Sequence, residues 1–125
     1  PLLLLLRKHA VESQSFADDT QLYKSTAHSL INSNVQTLEN CITDIKSRMT
    51  LNKLKLNDDK TEALLIHKHN TSSSLSPLPT SLTVGTTNIH FSSLARNLGY
   101  ILSDDLSLNN HISNVCRSAY TAIRQ

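Results

Sequence analysis

Three observations predict an α+β fold for this chain of 125 residues. Val35, Leu38, Ile42, Ile45 and Met49 recur three or four positions apart, the spacing of an amphipathic helix. Ile112, Val115, Cys116, Ala119, Ala122 and Ile123 repeat that pattern near the end of the chain. The remaining apolar and aromatic runs are short and bounded by turn residues, which suits strands. The expected order is strand, strand, helix, then four strands and a helix.

Leu2 to Ala10 is expected to form one or two helical turns ending at Arg7-Lys8-His9, where cations complement a helix C-terminus. Val11 to Ser15 is polar for a central strand. A hairpin is expected from about Gln14 to Lys24, followed by a loop from Ser25 to Asn32. The first long helix should run from Val35 to about Thr50, with Ser33 and Gln36 in capping-box spacing. Its polar residues fall outside the apolar stripe, so Leu38, Ile42 and Ile45 are expected to pack on a sheet carrying Phe16 and Leu22.

Leu51 to Glu62 reads as a turn-rich connection, closed by Asn57 and Thr61 through side-chain to backbone hydrogen bonds. Ala63 to His67 reads as a short strand. Asn70 to Ser81, rich in Ser and without charge, reads as a mobile linker between segments 1–69 and 82–125. Leu82 to Phe91 is expected to be a hairpin turning near Gly85-Thr86-Thr87-Asn88, and Asn97 to Leu102 a further strand. The last helix should be capped by Ser107 or Asn109.

Composition narrows the function classes. Apolar residues make up 38% and aromatics 4%, so the core must come mainly from Leu, Ile and Val. Twelve Lys/Arg against ten Asp/Glu give a net charge of +2, too balanced to imply nucleic-acid binding by charge alone. Only two Gly are present, and no GxGxxG or GxxxxGK phosphate loop exists. Cys41 and Cys116 lack zinc-motif spacing and are expected to be buried free thiols in a reducing, intracellular compartment, nucleus or cytoplasm. Leu2 to Leu6 is too short for a membrane span and is not flanked as a signal peptide would be. The opening at Pro1, without Met, suggests that a segment was removed upstream.

The stretch Ser15-Phe16-Ala17-Asp18-Asp19-Thr20-Gln21-Leu22-Tyr23 sets two carboxylates between strand-forming flanks. A tight turn there demands positive φ, which Asp tolerates better than most residues. Carboxylates on a rigid hairpin tip suit divalent-metal binding for phosphoryl transfer. Two other Asp-Asp pairs, Asp58-Asp59 and Asp104-Asp105, lie in turn contexts. A plain surface hairpin is the rival reading of the first pair. Asp18-Asp19 alone therefore decides nothing.

Four stretches together resemble the reverse transcriptase of non-LTR, LINE-type retrotransposons of the jockey, CR1 and L2 kind. Phe16-Ala17-Asp18-Asp19-Thr20-Gln21-Leu22-Tyr23 resembles the third palm motif. Met49 through Glu62, above all Asn52-Lys53-Leu54-Lys55-Leu56-Asn57 and Lys60-Thr61-Glu62, resembles the fourth. Arg96-Asn97-Leu98-Gly99-Tyr100-Ile101-Leu102 is similar to the element that follows, and Leu106 to Tyr120 to an opening thumb helix. Arg48 stands where the family usually has Trp, and Ser103 where an Asp usually follows.

The resemblance implies a partial palm, comprising the catalytic hairpin, amphipathic helix and short strands, followed by the first thumb helix. Residues 1–69 would then be the C-terminal part of the palm, 70–81 the linker, and 82–125 the palm-thumb connection with that helix. In the parent enzyme Asp18 and Asp19 would bind Mg²⁺ in a two-metal site and act in nucleotidyl transfer. Lys60 would assist pyrophosphate departure. Phe16, Ala17, Lys53, Lys55 and Gly99 would contact nucleic acid. The implied partners are an RNA template, a DNA primer and an upstream palm and fingers, and no membrane. The earlier palm motifs are expected to lie before Pro1, which leaves this chain inactive alone. Residue types alone also fit a solvated lysine at Lys60, and solvated lysines at Lys53, Lys55 and Lys68. The alternative function is a small non-catalytic protein of retroelement origin with weak or no nucleic-acid binding.

Overall fold

A computed structural model describes residues 2–67 and 77–124. Asn70 to Ser76, most of the expected linker, lie outside them; Pro77 to Thr80 carry no regular structure and Ser81 already belongs to a strand. The chain is α+β, as expected. The described residues form two units, 2–61 with 77–89, and 62–67 with 90–124.

In the first unit, helix α1 spans Leu2–Lys8. Its end follows from hydrogen bonding: Val11 N–H reaches the Leu6 carbonyl and Ala10 N–H the Arg7 carbonyl, both at 3.1 Å. That pair of bonds is a Schellman closure, with Ala10 in the left-handed region (φ 49°). The closure brings Leu6 and Val11 together, and both are buried. Strands β1 (Glu12–Phe16) and β2 (Asp19–Tyr23) follow as an antiparallel hairpin.

Helix α2 spans Ile31–Leu51. It starts four residues before the expected Val35, after a 3-10 turn at His28–Leu30. The expected capping box is not formed. The N-cap is Leu30 without a side-chain cap, and Ser33 instead donates its hydroxyl to the Leu30 carbonyl at 2.9 Å. A stripe of apolar residues sets the register of a helix, whereas the polar preceding turn set where it begins. Thr37, Thr43, Ser47 and Thr50 each donate to the carbonyl one turn back, so their hydroxyls are satisfied within the helix. A second Schellman closure ends α2, with Lys53 left-handed (φ 58°) and Leu54 N–H on the Met49 carbonyl at 2.9 Å.

The core of this unit is Leu6, Val11, Cys41 and Ile45, with Leu5, Leu22, Leu38 and Met49 packed around it. Fully burying one such aliphatic side chain contributes about 1.5–3 kcal/mol. Leu38 and Ile45 pack inward as expected, and Leu22 joins them. Phe16 does not; it is 66% exposed. Strand β4 (Ser81–Val84) lies against α2 and turns through Gly85-Thr86, as the sequence predicts, into β5 (Thr87–Ser92). Gly85 has φ 65°, the value a two-residue hairpin turn needs at its first position.

In the second unit, β3 is only Ala63–Leu64, shorter than expected. It pairs in parallel with the later part of β5, Ala63 opposite Phe91. The expected strand Asn97 to Leu102 is a hairpin instead: β6 (Leu94–Asn97) and β7 (Tyr100–Ser103) flank a turn at Leu98-Gly99. Both turn residues have positive φ, 47° and 80°. An apolar run hid this turn because leucine is an unusual first residue for it.

Helix α3 spans Asn109–Ile123, with N-cap Leu108 and no side-chain cap, so neither Ser107 nor Asn109 takes that role. It docks on β7 through polar residues. The His111 ring lies 4.0 Å from the Tyr100 ring, and Asn110 Nδ2 donates to the buried Ser103 hydroxyl at 3.4 Å. No residue of α3 is buried. Its apolar stripe, Ile112, Val115 and Ile123, is exposed, and so is Cys116, which corrects the expectation of two buried thiols. No helix among the described residues is long and apolar enough to cross a membrane.

Candidate functional site

Phe16 pairs with Asp19, so the hairpin turn is Ala17-Asp18 and Asp19 is the first residue of β2. Turns of this length need positive φ at the first residue or at both. Ala17 supplies it (φ 54°), and Asp18 does not. The strain expected on the acids therefore sits on an alanine, where a left-handed conformation costs about 1–2 kcal/mol.

The register sorts the side chains. Glu12, Gln14, Phe16, Asp19, Gln21 and Tyr23 share one face, and Ser13, Ser15, Thr20 and Leu22 the other. Leu22 packs on the core, so the second face is the inner one, where the Ser15 and Thr20 hydroxyls meet at 3.2 Å. Phe16 and Tyr23 thus face outward together with Asp19, and both rings are exposed. The Asp18 and Asp19 carboxylates are exposed, with no hydrogen-bond or ion-pair partner among the described residues. All their oxygen lone pairs remain available to a hard cation.

Beneath the hairpin, its supporting helices are tied by charge. Asp44 on α2 accepts from His9 Nε2 at 2.8 Å and from Lys8 Nζ at 3.0 Å, across 35 and 36 positions. The hydrogen bond from His9, then that from Lys8, holds the Asp44 carboxyl below the usual carboxylate range. One turn away, burial and then the Asp44 charge push the Cys41 thiol up. Lys24 Nζ closes the same corner on the Ala10 carbonyl at 2.7 Å.

The other expected site residues lie apart from these bonds. Lys60 ends a 3-10 turn, Asp58–Lys60, which Thr61 closes by donating its hydroxyl to the Asn57 carbonyl at 2.9 Å. The Lys60 side chain is exposed, and among the described residues no hydrogen bond or ion pair joins it to the hairpin. Lys53 serves as the left-handed residue ending α2, and Lys55 is exposed in the coil that follows. Gly99 sits in the β6–β7 turn with open space where a Cβ would be, so its positive φ is what calls for glycine there.

The sequence gives no sign of one contact in the second unit. There Glu62 Oε2 accepts the Arg96 N–H at 2.9 Å. Nothing in a single sequence signals a side-chain to backbone bond across 34 positions.

Among the described residues no group of three or more His, Cys, Asp or Glu could hold a metal. The hairpin tip offers two adjacent carboxylates and no third ligand. Comparison with protein-family models, curated proteins and solved structures finds no match.

Proposed function

We propose that this chain is part of a retroelement RNA-directed DNA polymerase, carrying its metal-binding palm hairpin, its fourth motif and the first thumb helix. The observation that carries the reading is the hairpin tip. A two-residue turn presents Asp18, and Asp19 follows on the outward face beside Phe16, with both carboxylates unpaired among the described residues. Ala17 holds the left-handed position of that turn, which leaves Asp18 free of the strain.

The donor set fits Mg²⁺, which takes oxygen ligands, keeps several waters and is commonly held by one or two protein carboxylates. Asp18 would be its principal ligand and Asp19 the secondary one. When bound, the metal would supply charge neutralisation and orientation for attack of a primer hydroxyl on a nucleotide phosphate. The chain's own residues would do the rest. The inner face of the hairpin, anchored by Leu22, fixes the direction of the carboxylates. Phe16 and Ala17 give a flat, uncharged surface next to them for a primer end. Lys60 supplies a cation for the departing pyrophosphate, an RNA template and DNA primer being the polymer partners.

A two-metal site needs carboxylates from more than one strand, and Asp18 and Asp19 are sequence neighbours in one hairpin. This chain by itself is therefore proposed not to polymerise. Primer extension on an RNA template, run beside Asp18→Asn, tests that point: extension that Asp18→Asn abolishes would overturn it. The metal reading is tested by following backbone amides during Mg²⁺ titration. Shifts at 17–19 saturating in the millimolar range and lost in Asp18→Asn support it. Absence of such shifts would overturn the metal reading and favour the alternative, a non-catalytic protein of retroelement origin.

A further inference from the structure

We propose that Glu62 is a positioning residue whose carboxylate fixes the Leu98-Gly99 turn of the β6–β7 hairpin. In this hairpin Asn97 pairs with Tyr100 next to the turn, and Arg96 pairs with Ile101 one step further in. A pair adjacent to the closing pair of a two-residue hairpin points its amides outward, away from the partner strand. Such amides on a two-stranded sheet are open donors.

Both are taken by side chains. Glu62 Oε2 accepts from Arg96 N–H at 2.9 Å, and His111 Nδ1 accepts from Ile101 N–H at 3.4 Å. The shorter bond, to a carboxylate, is the stronger of the two. It acts two residues from Leu98, which holds φ 47° although a leucine resists that conformation. Leu98 is 57% exposed, so packing of its own side chain does little to keep it there. Strand pairing, the longer His111 bond on β7 and the Glu62 anchor on β6 remain to hold the turn, and of the two outside anchors Glu62 makes the shorter bond, on the Leu98 side.

The inference rests on the proposed polymerase reading only for what the turn would touch, a primer end. Its geometry stands on the two amides. Absence of an Mg²⁺ response at Asp18 would remove the polymerase reading and leave the measurements below unaffected.

The experiment is amide hydrogen exchange and chemical-shift mapping of the whole chain, comparing wild type, Glu62→Ala and Glu62→Gln. Glu62→Ala should speed exchange at Arg96 about tenfold and move the Leu98 and Gly99 amides. Glu62→Gln keeps an acceptor oxygen and should restore most of both effects. A loss of fold would instead move amides throughout the unit in every variant. Arg96 exchange within about twofold of wild type in Glu62→Ala overturns the proposal. Equal loss in the Ala and Gln variants, or a Leu98-Gly99 turn indifferent to both, overturns it too. If Glu62→Ala does not fold, Glu62→Asp decides: its carboxylate falls one methylene short of the Arg96 amide, so Arg96 exchange should quicken, and exchange equal to wild type overturns the proposal.

Discussion

Glu39 Oε1, on α2, accepts the backbone N–H of Thr83, on β4, at 2.6 Å across 44 positions. A carboxylate thereby occupies the donor of a strand that α2 covers. Glu39→Ala should cost about 1 kcal/mol, below the usual range for a charged acceptor because the bond is exposed. Glu39→Gln should recover most of it. Urea unfolding of the three proteins checks this; an unchanged midpoint in Glu39→Ala would show the bond to be immaterial.

Two turn residues hold backbone conformations that suit other side chains. Ala17 is left-handed at φ 54° and Leu98 at φ 47°. Ala17→Gly and Leu98→Asn should each stabilise by about 0.5–1 kcal/mol, since Gly and Asn enter that region more readily. Thermal melts should rise for both. A lower melting temperature for Ala17→Gly would mean that the alanine methyl makes a contact worth more than the strain.

The Asp44 carboxyl is held below its ordinary value by His9 and then Lys8. A depressed folded-state value means that the stabilisation is present above the unfolded value, about pH 4, and is lost as pH falls through the folded value. Stability measured from pH 6 down to pH 2 should therefore decline in wild type. Asp44→Asn should start lower at pH 6 and show a shallower decline. Parallel profiles would assign the acid sensitivity to other groups.

The two thiols should differ in reactivity. Cys41 is 0% exposed, and burial raises its thiol, whereas Cys116 lies open on α3. A disulfide reagent added to the native chain should label Cys116 at once and Cys41 only as the protein opens. Labelling of both at equal rates would contradict the core arrangement.

Ile45 and Ile123 both occupy apolar helical positions, yet the first is 9% exposed and the second 83%. Ile45→Ala should cost about 2–4 kcal/mol through lost burial and a cavity. Ile123→Ala should change stability by no more than about 0.5 kcal/mol. Denaturation followed by helical signal separates the two outcomes.

Periodicity and turn chemistry were enough to read the α+β class, the body of α2, the Phe16 to Tyr23 hairpin and the Gly85-Thr86 turn. These depend on neighbours three, four or two positions apart, and local sterics and amphipathicity act over that range. The same locality exposed Asp18 and Asp19 as a candidate pair before any register was known. It failed at the start of α2, where Ser33 bonds back to Leu30 rather than capping, and at Leu98-Gly99, where an apolar residue occupies a turn.

What only the tertiary structure decided is which face each periodic stripe turns inward and which distant groups meet. The spacing of Ile112, Val115 and Ile123 marks an apolar stripe on α3, but the helix docks on β7 by His111 and Asn110 and leaves that stripe exposed. Asp44 with His9, Glu39 with Thr83 and Glu62 with Arg96 join residues more than thirty positions apart. Hydrogen bonds depend on distance and direction in space, and chain separation carries neither. The sequence determined which segments could form and which carboxylates stood ready; folding determined that Phe16 and Asp19 share the outer face while Leu22 holds the inner one.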